Sequence, residues 1–207
     1  MTQPTLILAS SSPRRSYYLR LLGLPFRKAH PEVDETPRSG ESPKAYVRRL
    51  AFEKADPVVR AHPGSWVVAA DTTVVVDGRI LGKPRDDREA RRMLRLLSGR
   101  WHQVVSGLAL VRREPSRRLS AVSLTRVRFR EMLEAEIGWY VATGEPADKA
   151  GAYAIQGKGG VFVDRIVGSA SNVVGFPLEE FYRLLREAGL VVPRGRTLEL
   201  LPSLGPR

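Results

Sequence analysis

The chain has 207 residues, 43% of them hydrophobic, which is enough to bury a full core as one domain or two small lobes. It contains no cysteine, so disulfides, thiolate zinc sites and cysteine nucleophiles are excluded, and a reducing compartment fits. The formal charge is +12, but Arg supplies 28 of the 34 basic residues and is scattered among acids, as in Arg85-Asp86-Asp87-Arg88-Glu89. That pattern reads as a solvated Arg-rich surface, and nucleic acid is not the expected partner.

Leu6 to Ala9 reads as a buried strand, followed by the turn Ser10-Ser11-Ser12 and a helix opening at Pro13 with Ser12 as its N-cap. Tyr17, Leu21, Leu22 and Leu24 are expected to face the core. A strand, a serine turn and a helix start form an anion site, and Arg14 and Arg15 in the first turn fit a bound phosphate or, alternatively, a solvated surface. Phe26 to Ala29 is a short strand, and His30 to Glu41 a Pro- and acid-rich loop. Ser42-Pro43 opens a helix lined by Tyr46, Leu50 and Ala51, with a break or bend expected at Asp56-Pro57. Trp66 to Ala70 is a strand buried on both faces that ends at Asp71-Thr72-Thr73. Val74-Val75-Val76 and Arg79-Ile80-Leu81 flank Asp77-Gly78, a strong hairpin signal.

Asp87 to Leu97 has helical spacing and stops at Ser98-Gly99. Val104 to Val111 and Leu119 to Phe129 are two longer strands, Glu134 to Thr143 a short helix, and Gly144 to Gly160 a Gly-rich loop. A strand over Val161 to Val167 and a helix opening at Pro177 complete the pattern, and a flexible tail is expected beyond Val192. Strands and helices mix without regular alternation. The expected fold is therefore α/β with a mixed twisted sheet and flanking helices, one domain over residues 1–192 and a tail over 193–207. No apolar run reaches membrane-span length, and the N-terminus lacks the pattern of a signal peptide, so a soluble cytoplasmic protein is expected.

Asp71 is the sharpest candidate for chemistry, because a carboxylate after an apolar strand stands where open α/β sheets place ligands. It can hold a divalent cation, accept a proton from water, or simply cap its turn. Asp34 or Glu35 of the acidic loop is a possible second cation ligand, though a solvated loop explains both. Lys83, between Gly82 and Pro84, suits a phosphate or a solvated turn, while Lys54 reads most simply as surface charge. Gln156, in a segment dense in small residues, carries the donor and acceptor needed to read a nucleobase edge. No P-loop, dinucleotide fingerprint, Gly-x-Ser-x-Gly elbow or metal-spaced histidine set occurs.

Leu8-Ala9-Ser10-Ser11-Ser12-Pro13-Arg14-Arg15, Val33-Asp34-Glu35, Ala70-Asp71-Thr72, Gly82-Lys83-Pro84-Arg85, Leu97-Ser98-Gly99 and Asp148-Lys149-Ala150-Gly151-Ala152-Tyr153 occur in that order. Together they resemble the Maf family of nucleoside triphosphate pyrophosphatases over Leu6 to about Gly189, and the 151–157 and 172–178 segments resemble its dTTP/UTP-cleaving branch. Ala170, where that branch often has an aromatic residue, and the tail after Val192 depart from the pattern. The resemblance implies two lobes around a cleft, similar to inosine triphosphate pyrophosphatase, usually in a homodimer. It implies Asp71 as proton acceptor, and Arg14, Thr72 and Gln156 as determinants of substrate choice. It further implies Ser10, Arg15, Lys54 and Lys83 on phosphate, and Glu35 with Asp71 on Mg2+ or Mn2+. The rival it leaves is a nucleotide-binding regulator of septum formation with little turnover.

Overall fold

The computed structural model describes residues 6–195 and 197–201. It divides into two compact units, one made of residues up to Asp71 with Ser106–Val122 and the stretch from Gly175 on, the other of Thr72–Val105 and Ser123–Val174. The sheet is mixed, as expected, with strand order β2-β1-β3-β5-β6-β7 and β4 paired to β3. Here β1 is Leu6–Ala9, β2 Phe26–Ala29, β3 Trp66–Val76, β4 Arg79–Leu81, β5 Trp101–Arg112, β6 Arg117–Phe129 and β7 Val163–Val167.

In the first unit β1 runs parallel to both β2 and β3, with Leu6 opposite Phe26 on one side and Trp66 on the other. The chain leaves β1 through helix α1 (Pro13–Leu21) to β2, then passes through helix α2 (Pro43–Ala61) to β3 on the far side of β1. The end of β1 is thus a topological switch point, where open sheets leave a crevice for a ligand. Ile7 and Ala9 on β1 and Val67 and Ala69 on β3 share a core with Ala51, Ala55, Val58 and Val59 of α2. Gly107 on β5 brings the backbone against that helix, since a Cβ there would lie 2.4 Å from the Val47 carbonyl oxygen.

Pro57 does not break α2, which continues to Ala61. The hydrogen bond lost at Pro57 is outweighed by the burial of Val58 and Val59 beyond it. The phase expected for α1 is corrected: Tyr17 and Leu21 are 52% and 59% exposed, and Tyr18 and Leu19 are buried instead. Tyr18 stacks on Phe176, which meets Phe181 of helix α6 (Leu178–Glu187) edge-on.

The second unit packs helices α3 (Asp87–Leu97) and α4 (Glu134–Ala142) through Met93, Leu94, Leu97, Ile137 and Tyr140 onto Val74, Val104, Val127 and Phe129. Asp86 caps α3 by accepting from the Glu89 N–H at 2.7 Å, and Glu89 holds Arg85 and Arg92, so this charge run is a paired helix surface. The Gly-rich loop is more ordered than its composition suggests, with 3-10 turns at Glu145–Asp148, Ala150–Ala152 and Lys158–Phe162. A short helix α5 (Ala170–Val174) follows β7. Across the boundary expected after Val192, β8 (Val191–Arg194) and β9 (Thr197–Leu200) form a hairpin, and residues 202–207 of the expected tail lie outside the described residues.

Candidate active site

Side chains alternate along a strand, so Asp71 follows Val67 and Ala69 onto the α2 side of β3. It does not end its strand, as the sequence suggested: β3 runs on to Val76 through Thr72 and Thr73. The register of β1 against β3 ends with Leu8 opposite Val68, and so Asp71, three residues on, lies just past the point where the two strands part. There it is 5% exposed and receives Lys54 Nζ at 2.5 Å. Lys54 also reaches Glu35 at 2.6 Å, so one ammonium bridges two carboxylates. With its side chain 11% exposed, Lys54 is not surface charge; its partners are 17 and 19 residues away in sequence.

Burial pushes the Asp71 carboxyl above the ordinary range, against the pull of Lys54 and Arg15. Glu35 is carried by the acidic loop, whose backbone is fastened from α2. Tyr46 donates to the Glu35 carbonyl at 2.8 Å, and Arg49 donates to the Thr36 carbonyl at 3.2 Å. Arg49 also clasps both oxygens of Glu41 at 2.7 Å and reaches Glu53 at 2.9 Å. The hydrogen bond from Arg49, with a further one from the Arg38 N–H, takes the Glu41 carboxyl down to about 2. Asp34 is not the second partner: it accepts from the Thr36 N–H at 2.9 Å and shapes the loop. Tyr46 is expected from the sequence only as a core residue of α2 and Arg49 not at all, since a contact from a helix to a loop carbonyl leaves no spacing signature.

The serine turn is organised by Ser10. Its Oγ accepts from the Ser12 N–H at 3.2 Å and from Arg15 Nη1 at 3.1 Å, whereas Ser12 occupies the N-cap position without a side-chain bond to α1. Arg15 Nε donates to the Gly175 carbonyl at 3.1 Å. Burial and the neighbouring Arg14 lower the Arg15 pKa, while Asp71 and Glu35 raise it. The first unit therefore gathers Ser10, Arg14, Arg15, Glu35, Lys54 and Asp71 in one charged neighbourhood, three cations with two carboxylates. Cations outnumber anions around a buried acid, the balance a polyphosphate requires.

Among the described residues no group of three His, Cys, Asp or Glu side chains is arranged for a metal. Glu35 and Asp71 nevertheless converge on one cation, and magnesium usually takes one or two carboxylates with water and substrate phosphate oxygens, so this donor set fits. Thr72, Lys83 and Gln156 belong to the second unit: Thr72 half-buried on β3, Lys83 exposed after β4, and Gln156 exposed in a turn.

The Maf-like protein family matches residues 5–188, which takes in the span of the ordered motifs and stops before the terminal hairpin. A dTTP/UTP pyrophosphatase of Myxococcus xanthus is 53% identical, covering 92% of this chain and 96% of that protein. One of Anaeromyxobacter dehalogenans is 54% identical, covering 92% and 97%. Among solved structures, a HAM1 protein from Coxiella burnetii shares the fold with a TM-score of 0.51 at 18% identity, over 89% of this chain and 100% of that one.

Proposed function

The chain belongs to the Maf-like protein family, and on that premise we propose that it is a nucleoside triphosphate pyrophosphatase hydrolysing dTTP and UTP to the monophosphate and pyrophosphate. The observation that carries this reading is the buried Asp71 held by Lys54 beside Arg15 and Ser10, a carboxylate set among cations. Water attacks the α-phosphorus, with Asp71 orienting it and accepting its proton. Arg14, Arg15 and Lys83 neutralise charge that gathers on the departing pyrophosphate, Ser10 fixes the Arg15 fork, and Lys54 takes phosphate oxygens. Mg2+ or Mn2+, held by Glu35 and Asp71, would polarise the phosphates.

Thr72 and Gln156 join Arg14 in choosing the base. The Gln156 amide offers a donor beside an acceptor, which matches the O4 and N3–H edge that uracil and thymine share. Residues 1–192 act as a single catalytic domain, in a homodimer in the cytoplasm. Among the described residues no helix is long and apolar enough to cross a membrane.

Pyrophosphate release measured over all canonical triphosphates, with magnesium and with manganese, tests this. UTP and dTTP should lead the others by at least about tenfold. Nucleotide binding without pyrophosphate release would replace the enzyme with a nucleotide-binding regulator.

A further inference from the structure

The segment around Gln156 contains Gly151, Gly157, Gly159 and Gly160 and on composition alone should be pliant. In the fold it is fastened on both sides of one turn. Gly157 N–H closes that turn on the Ala154 carbonyl at 3.2 Å, which leaves Gln156 exposed at its third position. On the near side, the Ala154 N–H donates to Tyr140 Oη at 3.1 Å. On the far side, the Lys158 and Gly159 N–H groups donate to the two oxygens of Glu145 at 3.0 and 3.1 Å. Tyr140 joins the two sides by donating to Glu145 Oε1 at 2.8 Å.

The glycines make room for these acceptors. A Cβ on Gly157 would lie 2.4 Å from both Glu145 oxygens, and one on Gly159 would lie 2.5 Å from Tyr140 Oη. Tyr140 is itself fully buried, edge-on to Phe162 with ring centroids 5.3 Å apart. Burial alone would raise the Glu145 carboxyl, but the two backbone N–H groups and Tyr140 hold it below the ordinary range, so the anchor is charged at neutral pH.

We propose that Glu145, backed by Tyr140, is a positioning residue for base selection: it fixes the turn that presents Gln156 to the pyrimidine. The proposal rests on the reading of Gln156 given above. Uracil and cytosine carry donor and acceptor in opposite order on the edge an amide would read, so the amide must meet that edge from one fixed place. Selection by one amide therefore needs its backbone held to within about half an ångström.

The test compares wild type, E145Q, Y140F and Q156A, with kcat and KM measured for UTP and CTP and amide exchange followed across the chain. E145Q keeps the shape but sets an NH2 group against at least one backbone N–H. It should raise KM for UTP about tenfold with kcat little changed, cut the UTP-to-CTP preference about tenfold, and speed exchange within 154–159 only. Y140F should move the same quantities in the same direction by less, and it decides the matter should E145Q not fold. A folded E145Q or Y140F with the wild-type preference overturns the proposal while Q156A still loses selectivity. If Q156A keeps the preference too, the reading of Gln156 fails and the proposal falls with it.

Discussion

The two units hold their charged groups in different ways. In the first, charge meets charge: Lys54 spans Glu35 and Asp71, and Arg49 spans Glu41 and Glu53, each through long side chains from a single helix. In the second, the Gly-rich segment is shaped by uncharged groups gathered around one carboxylate, with backbone N–H groups and a phenol converging on Glu145. Mutually compensating charges can be re-paired when a polyanion arrives. A neutral group can be recognised only by direction, which a fixed backbone supplies.

Four substitutions would break or sharpen that contrast. Asp71→Asn should lower turnover by about a thousandfold with little change in melting temperature, because removing a buried charge leaves Lys54 still paired with Glu35. Pyrophosphate release and thermal melting measure the two effects. Lys54→Met should lower kcat/KM by about a hundredfold and shift its acid limb upward. The sign follows from the cation, which favours ionised Asp71 against the burial that raises its pKa, so removing Lys54 lets the pKa rise further. A limb that moves down or stays in place would dissociate the ammonium from that acid.

Gln156→Ala should raise KM for UTP by about tenfold or more with kcat little changed, narrowing the preference over CTP about tenfold. The smallest effect is on stability. Glu41→Gln should lower the melting temperature by about 2–4 °C at pH 7. Because folding takes the Glu41 carboxyl from about its ordinary 4.5 down to about 2, its contribution is complete above the ordinary value and disappears as the pH falls through the folded one. The gap between wild type and variant should close over that window, and a gap that persists at pH 2 would mean Glu41 contributes by packing.

Much of this was legible in the chain, and the misses have physical reasons. Asp71 stood out because an apolar run stops at a charge, yet the same stop hid that the strand continues. Thr72 and Thr73 look like a turn in isolation and are held extended as part of β3. In α1, Tyr17, Tyr18, Leu19 and Leu21 crowd so short a helix that spacing suits two faces, and only packing against Phe176 selects Tyr18. Lys54 looked solvated because its partners lie on a loop and a strand distant in sequence, and nothing local marks them. Glu145 was overlooked for a related reason, since its partners are backbone groups that carry no residue identity.

Gly107 supplies a lever that acts on distance instead of charge. Val47, whose carbonyl it touches, stands two turns before Lys54 on the same side of α2. One added methyl at position 107 would make the helix step back from the sheet, drawing the ammonium away from its acid with every ionisable group still in place. Gly107→Ala would thus behave like a diluted Lys54 variant, and grading that separation with larger residues would report how steeply the chemistry depends on reach.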